Sequence, residues 1–392
     1  MKILVVCQYY SPEPVRITDM CEELVRRGHE ITVLTGIPNY PMGSIYPGYE
    51  NHKVMCENIS GVNIIRCNSI PRKNNSFYRV LNYFSFAISG MIKAKSLDDD
   101  FDLVFINQQS PVMMSWPGIA YAKKHKKKLL MYCMDLWPAS LTVGGISPES
   151  LIYKLFFNIS KRIYRQMDII LGTSRLFSNY LSDNFDILQE KVKYLPQYSE
   201  TVFDSVVALN NDTIDLMFAG NIGKAQNVDV IIKAARILKD RNDIVWHIVG
   251  DGVELDNIKE LATGLSNVIF HGRKPIDEMP DFYSLADCML VTLTEDPTIS
   301  LTLPGKVQTY MAAGKPIIAA ANGETLYIIN DAKCGYCVPA GDDVALANAV
   351  LKFADESNKD IFSTNAKQYS LQNFNKDLFF DNLEKYLYKL KG

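Results

Sequence analysis

The sequence predicts an α/β protein built from two doubly wound parallel-sheet domains in tandem. Three observations carry this. Short apolar runs alternate with amphipathic segments through the first half of the chain. The alternation lapses once, over 198–212, into Tyr-Ser-Glu-Thr and Asn-Asn-Asp-Thr, and it then restarts with the same rhythm. Alternating strands and helices mean a parallel sheet covered on both faces.

In the first half, strands are expected at 2–7, 30–35, 62–67, 102–106, 128–133 and 168–171, with helices at about 16–28, 77–97, 111–125, 149–166 and 174–183. In the second half, strands are expected at 214–219, 244–249, 267–270, 288–292 and 316–320. Helices at 227–239, 253–263, 279–285, 304–313 and 342–354 fill the gaps, and two more, about 358–370 and 374–390, close the chain. The expected boundaries are 1–197 for the N-terminal domain and 198–371 for the C-terminal one, with the last helix, about 372–392, packing back on the first. Ligands of such sheets bind beyond the carboxyl ends of the strands, so a central cleft between facing domains is the expected site.

The bulk numbers fit. The chain has 392 residues, 47% hydrophobic and 22% charged, with net charge −3, enough for two domains of about 200 residues each. That charge and a pI near 6.0 argue against a nucleic-acid partner. The eight cysteines are scattered, several inside apolar runs where Cys acts as a small hydrophobe. Cys334-Gly-Tyr-Cys337 lacks a second pair, so no metal site is expected. A reduced, cytoplasmic protein is the expectation. The N-terminus opens on a strand and not on a signal peptide, and the longest apolar segment, 77–92, is too short to span a bilayer.

The most informative stretch is Leu303-Pro-Gly-Lys-Val-Gln-Thr-Tyr-Met-Ala-Ala-Gly-Lys-Pro-Ile-Ile-Ala319. A Pro-Gly break opens a short helix with a lysine in its first turn, a seat for phosphate at a helix N-terminus; taken alone, an ordinary loop-helix-strand joint reads equally well. Four further segments stand in order around it: Phe218-Ala-Gly-Asn-Ile-Gly-Lys-Ala-Gln226, Ile248-Val-Gly-Asp-Gly252, Ile269-Phe-His-Gly-Arg273 and, in the first half, Tyr9-Tyr-Ser-Pro-Glu-Pro14. Arg27-Gly-His-Glu30 and Asp135-Leu-Trp-Pro138 complete the set.

Together these resemble a glycosyltransferase of family four with the GT-B fold, in the branch that builds bacterial O-antigens, capsules and exopolysaccharides. The resemblance spans nearly the whole chain. It implies a retaining, metal-independent enzyme without a cofactor. Such an enzyme moves a sugar from a nucleoside diphosphate, here expected to be UDP, to a hydroxyl of a lipid-linked or saccharide acceptor. The donor is held mainly by the C-terminal domain and the acceptor by the N-terminal one. An undecaprenyl-diphosphate-linked saccharide and the inner-leaflet membrane surface are the implied partners. The rival readings are a nucleotide-binding GT-B protein without transferase activity and a nucleotide-sugar epimerase. A dinucleotide oxidoreductase is disfavoured because no Gly-x-Gly-x-x-Gly follows the first strand.

Charge develops on the leaving diphosphate, and fixed cations and amides must offset it. Lys306 and Lys224 are the candidates, with Leu303, Pro304 and Gly305 turning at the helix start and Gly220 and Asn221 in the turn before Lys224; a solvated surface lysine is the plain alternative for either. Gly250, Asp251, His271 and Arg273 are expected at the base, although His271 and Arg273 read equally as solvated turn residues. Relatives commonly carry an Arg and a Lys where this chain has Asn221 and Gln226, and two glutamates where it has Leu301 and Thr309. Thr309 therefore offers the ribose a weaker contact.

On the acceptor side, Asp135 is placed to take a proton from the acceptor hydroxyl or to hold a sugar hydroxyl, where many relatives have a His one position earlier, here Met134. Trp137 reads as a sugar-stacking or a core residue. Glu13 and Arg16 replace a glycine-rich turn, and the two either meet the ligand or pair with each other. Asn39 lies in the turn-rich loop 38–43. Asp98-Asp-Asp-Phe-Asp102 reads as an acidic turn. Arg72-Lys73 before the aromatic segment 77–86, and the basic run Lys123–Lys128, suit peripheral attachment to anionic lipid, against the alternative of a core helix and a solvated loop.

Overall fold

The computed structural model describes the chain except residues 51–53, 74, 75 and 210, and the side chains of Ser76 and Phe77. The expected linker at 198–212 and the expected aromatic segment from Phe77 thus each fall partly outside the described residues. The chain divides into two compact units, Met1–Leu195 with Phe380–Gly392, and Pro196–Phe379.

Among the described residues the first unit holds eight strands: β1 (Lys2–Val6), β2 (Glu30–Gly36), β3 (Cys56–Ile59), β4 (Val62–Cys67), β5 (Leu103–Gln108), β6 (Lys128–Cys133), β7 (Ile169–Gly172) and β8 (Val192–Tyr194). Their order is β3-β4-β2-β1-β5-β6-β7-β8, parallel except for the β3–β4 hairpin. Four consecutive residues of β1, Ile3 to Val6, are fully buried. Helices cover both faces of a parallel sheet, so its central strands read as unbroken apolar runs. The helices are α1 (Ile17–Arg26), α2 (Ser76–Ser96), α3 (Trp116–His125), α4 (Ser140–Val143), α5 (Leu151–Tyr164) and α6 (Leu176–Phe185).

The second unit has a six-stranded parallel sheet: β9 (Ile214–Ala219), β10 (Ile244–Val249), β11 (Val268–Gly272), β12 (Cys288–Thr292), β13 (Ile317–Ala320) and β14 (Gly335–Val338). The order β11-β10-β9-β12-β13-β14 reverses direction between β9 and β12, the switch point where ligands of such sheets bind. Helices α7 (Asp229–Ile237), α8 (Leu255–Leu261) and α13 (Asp343–Ala354) cover the face of Leu216, Phe218 and Trp246. The face of Met217, Ala219 and Val249 is covered by α9 (Met279–Leu285), α11 (Gly305–Ala312), α12 (Gly323–Ala332) and α14 (Asp360–Asn373). The four-residue α10 (Pro297–Ser300) is capped by Asp296, whose carboxylate accepts from the N–H groups of Thr298 and Ile299 at 2.7 and 3.0 Å. The last helix, α15 (Lys376–Lys391), runs from one unit into the other. Within the first unit its Glu384 accepts from Arg27 at 3.0 Å and lies 2.7 Å from His29, so the Arg27-Gly-His29 stretch anchors this helix.

Candidate active site

In the second unit three strand ends are sewn together by backbone. Gly220 N–H donates to Val249 O at 2.9 Å, Ile222 N–H to Asp251 O at 2.8 Å, and Gly250 N–H to Gly272 O at 2.9 Å. The approach demands glycine: at φ +145°, a Cβ on Gly250 would stand 1.9 Å from the Gly220 carbonyl. The turn after β9 is tied to the next element as well. Thr292 Oγ1 donates to Gln226 O and Thr294 Oγ1 to Lys224 O, each at 2.6 Å.

Lys306 lies over this floor. Its ammonium sits 3.6 Å from the centre of the Phe218 ring and would be 3.0 Å from a Cβ on Gly220. The residue as a whole is partly exposed, but its Nζ is enclosed and has no hydrogen-bond partner. Burial pushes the ammonium down to about 7. Tyr310, on the next turn of α11, explains the placement. Its hydroxyl accepts from Ala219 N–H and donates to Ala219 O, both at 2.9 Å, pinning the helix to the end of β9.

Lys224 is exposed in a 3-10 turn at Lys224–Gln226. Asn221, also exposed, donates to Gln226 at 3.1 Å. Leu303 is buried, Pro304 caps α11 in extended geometry, and Gly305 is exposed at the helix start. The Thr309 hydroxyl donates to Lys306 O at 3.0 Å. Asp251 is exposed and accepts from Gly252 N–H at 2.7 Å; Arg273 is exposed at the end of β11. His271 is half-buried, and its Nε2 lies 2.9 Å from His247 Nδ1.

In the first unit, Asp135 follows β6 and forms a network that the sequence does not announce. Ser110, after the neighbouring β5, donates to Asp135 Oδ2, and Trp137 Nε1–H donates to Ser110 Oγ at 2.6 Å. Burial pushes the Asp135 carboxyl up to about 6, against a hydrogen bond from Ser140 and the Leu136 N–H. A carboxylate of that strength is suited to accept a proton near neutrality. Trp137 is buried, its ring edge-on to Phe156 at 5.3 Å, so of its two readings the structure places it in the core.

Glu13 is buried and holds two loops together. Its carboxylate accepts from the N–H groups of Asn39 at 2.7 Å, Tyr40 at 2.6 Å and Tyr10 at 2.9 Å. Burial pushes it up to about 7 against those three bonds. Asn39 is equally occupied, donating to Ile37 O at 2.9 Å and accepting from Arg72 N–H at 3.0 Å. Arg16, partly exposed, bears on the Tyr132 hydroxyl by its charge. The acidic turn at 98–102 lies before β5, where Asp99 pairs with Lys127 at 2.8 Å and Asp100 with Lys2 at 3.0 Å. Among the described residues no cluster of His, Cys, Asp and Glu is arranged to hold a metal ion.

Comparison with known proteins agrees with this architecture. The family described as Glycosyltransferase Family 4 matches residues 14–197, and that described as Glycosyl transferases group 1 matches residues 213–356. A glycosyl transferase assigned to colanic acid biosynthesis, WcaI of Escherichia coli K12, is 26% identical over 351 residues, covering 83% of this chain and 84% of its own. Among solved structures, sucrose-phosphate synthase of Thermosynechococcus elongatus superposes with a TM-score of 0.75 at 16% identity, covering 100% of this chain and 99% of its own. HepE of Anabaena, solved with UDP, gives 0.72 at 16% identity, covering 99% and 100%. With both halves matched in order on two doubly wound sheets, the chain belongs to the family-four glycosyltransferases and has the GT-B fold.

Proposed function

We propose that this protein is a retaining glycosyltransferase of bacterial surface polysaccharide synthesis. It moves a hexose from a nucleoside-diphosphate sugar, UDP-linked, to a hydroxyl of a lipid-linked saccharide. The observation that carries the reading is the Lys306 ammonium, enclosed and without a partner beside Gly220. Burying an unpaired cation is costly, and an anion at the switch point offsets that cost.

The residues divide by chemistry. The diphosphate sits at the start of α11 (Leu303, Pro304, Gly305) and on the Gly220–Asn221 turn. Lys306 and Lys224 neutralise the charge that grows on its oxygens as the glycosidic bond breaks. Gly250, Asp251, His271 and Arg273 receive the nucleoside. Thr309, its hydroxyl turned to the Lys306 carbonyl, closes the helix face behind the phosphates. In the first unit Asp135 accepts the proton of the attacking hydroxyl. Ser110, itself held by Trp137, holds that carboxylate, and Glu13, Arg16 and Asn39 shape the loops around the acceptor. No step is routed through a metal or an organic cofactor, as in the family.

We place the enzyme at the inner face of the cytoplasmic membrane, attached peripherally. Among the described residues no helix is long and apolar enough to cross a membrane. Along α2, Val80, Ile88 and Ile92 are exposed at 48%, 46% and 66%, in one stripe at helical spacing beside the exposed Arg79, Lys93 and Lys95. The basic run contributes less than its length suggests, because Lys127 and Lys128 are paired with Asp99 and Asp168.

The test is product formation from a panel of UDP- and GDP-sugars with polyprenyl-diphosphate-linked acceptors, read by mass spectrometry and by NMR of the new linkage. One donor should add one hexose with its anomeric configuration kept, and Asp135→Asn should lower the rate by about 100-fold or more. No product from any donor would contradict the transferase reading, and binding without transfer would favour a nucleotide-binding protein.

A further inference from the structure

Behind the β11 strand end lies a buried polar chain that crosses three strands. Asp215 at the start of β9 is 3% exposed and His247 on β10 is 4% exposed. Asp215 Oδ1 is 2.6 Å from His247 Nε2, and His247 Nδ1 is 2.9 Å from His271 Nε2. The other Asp215 oxygen, Oδ2, accepts from Asn211 Nδ2 at 2.6 Å and Thr213 Oγ1 at 2.8 Å. The His271 ring is stacked on His247 at 5.2 Å and closed from the far side by Phe282 of α9, also at 5.2 Å. Buried polar groups are costly to leave unsatisfied, and this chain is satisfied from its first residue to the strand end.

The donors and acceptors fix the proton positions. A carboxylate only accepts, so His247 Nε2 carries the proton toward Asp215. Neutral His247 then presents a lone pair at Nδ1, and His271 donates from Nε2. That leaves His271 Nδ1 as an acceptor at the end of β11. We infer that Asp215 and His247 are positioning residues of the donor site, setting through His271 the hydrogen-bonding sense of the turn that receives the nucleoside. The inference rests on the donor reading given above. The charged groups facing the two rings are Asp215 from β9 and Lys274 after β11, while Asp287 accepts from the Asp215 N–H at 2.8 Å; α9 contributes the uncharged Phe282.

Asp215→Asn tests this sharply. Asn211 and Thr213 both donate to Oδ2, so the new amide must keep its oxygen there and turn its NH2 toward His247. That imposes the reverse tautomers: Nδ1–H on His247 and Nδ1–H on His271. Ring-nitrogen NMR at pH 8 should show His271 as the Nε2–H tautomer in the unmutated protein and as Nδ1–H in the variant. The nucleotide that binds the unmutated protein tighter, UDP or GDP, should bind the variant about tenfold more weakly. An unchanged tautomer would overturn the inference, and so would an inverted tautomer with unchanged affinity. If the variant does not fold, the unmutated protein decides instead: His271 found as the Nδ1–H tautomer at pH 8 would overturn the inference. Failure of UDP and GDP to bind the unmutated protein at all, with the tautomers as described, would remove the donor site and not the relay.

Discussion

Raising the pH above neutrality should weaken nucleotide binding through one group. In the empty protein, burial holds the Lys306 ammonium down to about 7, so at pH 8.5 nearly all of it is neutral. A diphosphate beside Gly220 favours the charged form, and binding must then draw a proton onto Lys306. Linkage sets the size: the free protein binds fewer protons than the complex, so affinity falls about tenfold per pH unit well above 7, and about 15-fold from pH 7 to 8.5. A phosphate group's own last ionisation lies near pH 6, below this window. Calorimetry of UDP binding in two buffers of unequal ionisation enthalpy reads the proton directly. We expect close to one proton taken up per UDP at pH 8.5, and none in Lys306→Met, whose weaker affinity should be flat over the same range. An unmutated protein with flat affinity and no proton uptake would show that Lys306 does not take up a proton for the diphosphate.

Three other outcomes follow from the same geometry. Lys306→Met should stabilise the empty protein at pH 6.5 by about 1–3 kcal/mol in chemical denaturation, because it removes an unpartnered buried cation. With a folded-state value near 7 and an ordinary value of 10.5 on unfolding, the unfolded chain binds more protons between them. The advantage of the variant should therefore shrink, and be lost, as pH rises from 7 towards 10. Glu13→Gln should lower stability by about 1–3 kcal/mol, since all three partners of that carboxylate are N–H donors and an amide nitrogen cannot accept; a melting temperature unchanged from the parent would show that the clamp contributes nothing. Ile88→Asp with Ile92→Asp should cut flotation with anionic vesicles at least tenfold, and equal flotation would place membrane contact elsewhere.

Much of the fold was legible because parallel strands buried on both faces leave continuous apolar runs, as at Ile3–Val6. The strands that escaped were the short ones at or near the edges. β3 is an antiparallel edge strand with Glu57 and Asn58 in its middle, β8 has three residues, and β14 is only half-buried. Four-residue helices such as α4 and α10 show too little of the helical period to be read. In the candidate site, the sequence pointed to Lys306 through its Pro-Gly context, but the aromatic floor, Phe218, and the partner of the Tyr310 pin, Ala219, lie on a strand some 90 residues away. Ser110 is 25 residues from Asp135 and meets it only because β5 and β6 are neighbours. Likewise Asp215, His247 and His271 stand on three adjacent strands. No local pattern relates them, because register and not spacing brings them together. Glu13 read as a ligand contact or as half of an ion pair with Arg16; two of its three backbone partners, Asn39 and Tyr40, depend on the turn after β2 folding over it.

The decisive measurement is calorimetric titration of UDP and GDP against the unmutated protein and Lys306→Ala at pH 7. We expect clear binding of one nucleotide by the unmutated protein and a loss of 100-fold or more in affinity, roughly the worth of a charge-assisted contact in an enclosed site, in the variant. Equal affinity in the two proteins would show that the enclosed Lys306 ammonium is not the seat of the donor diphosphate.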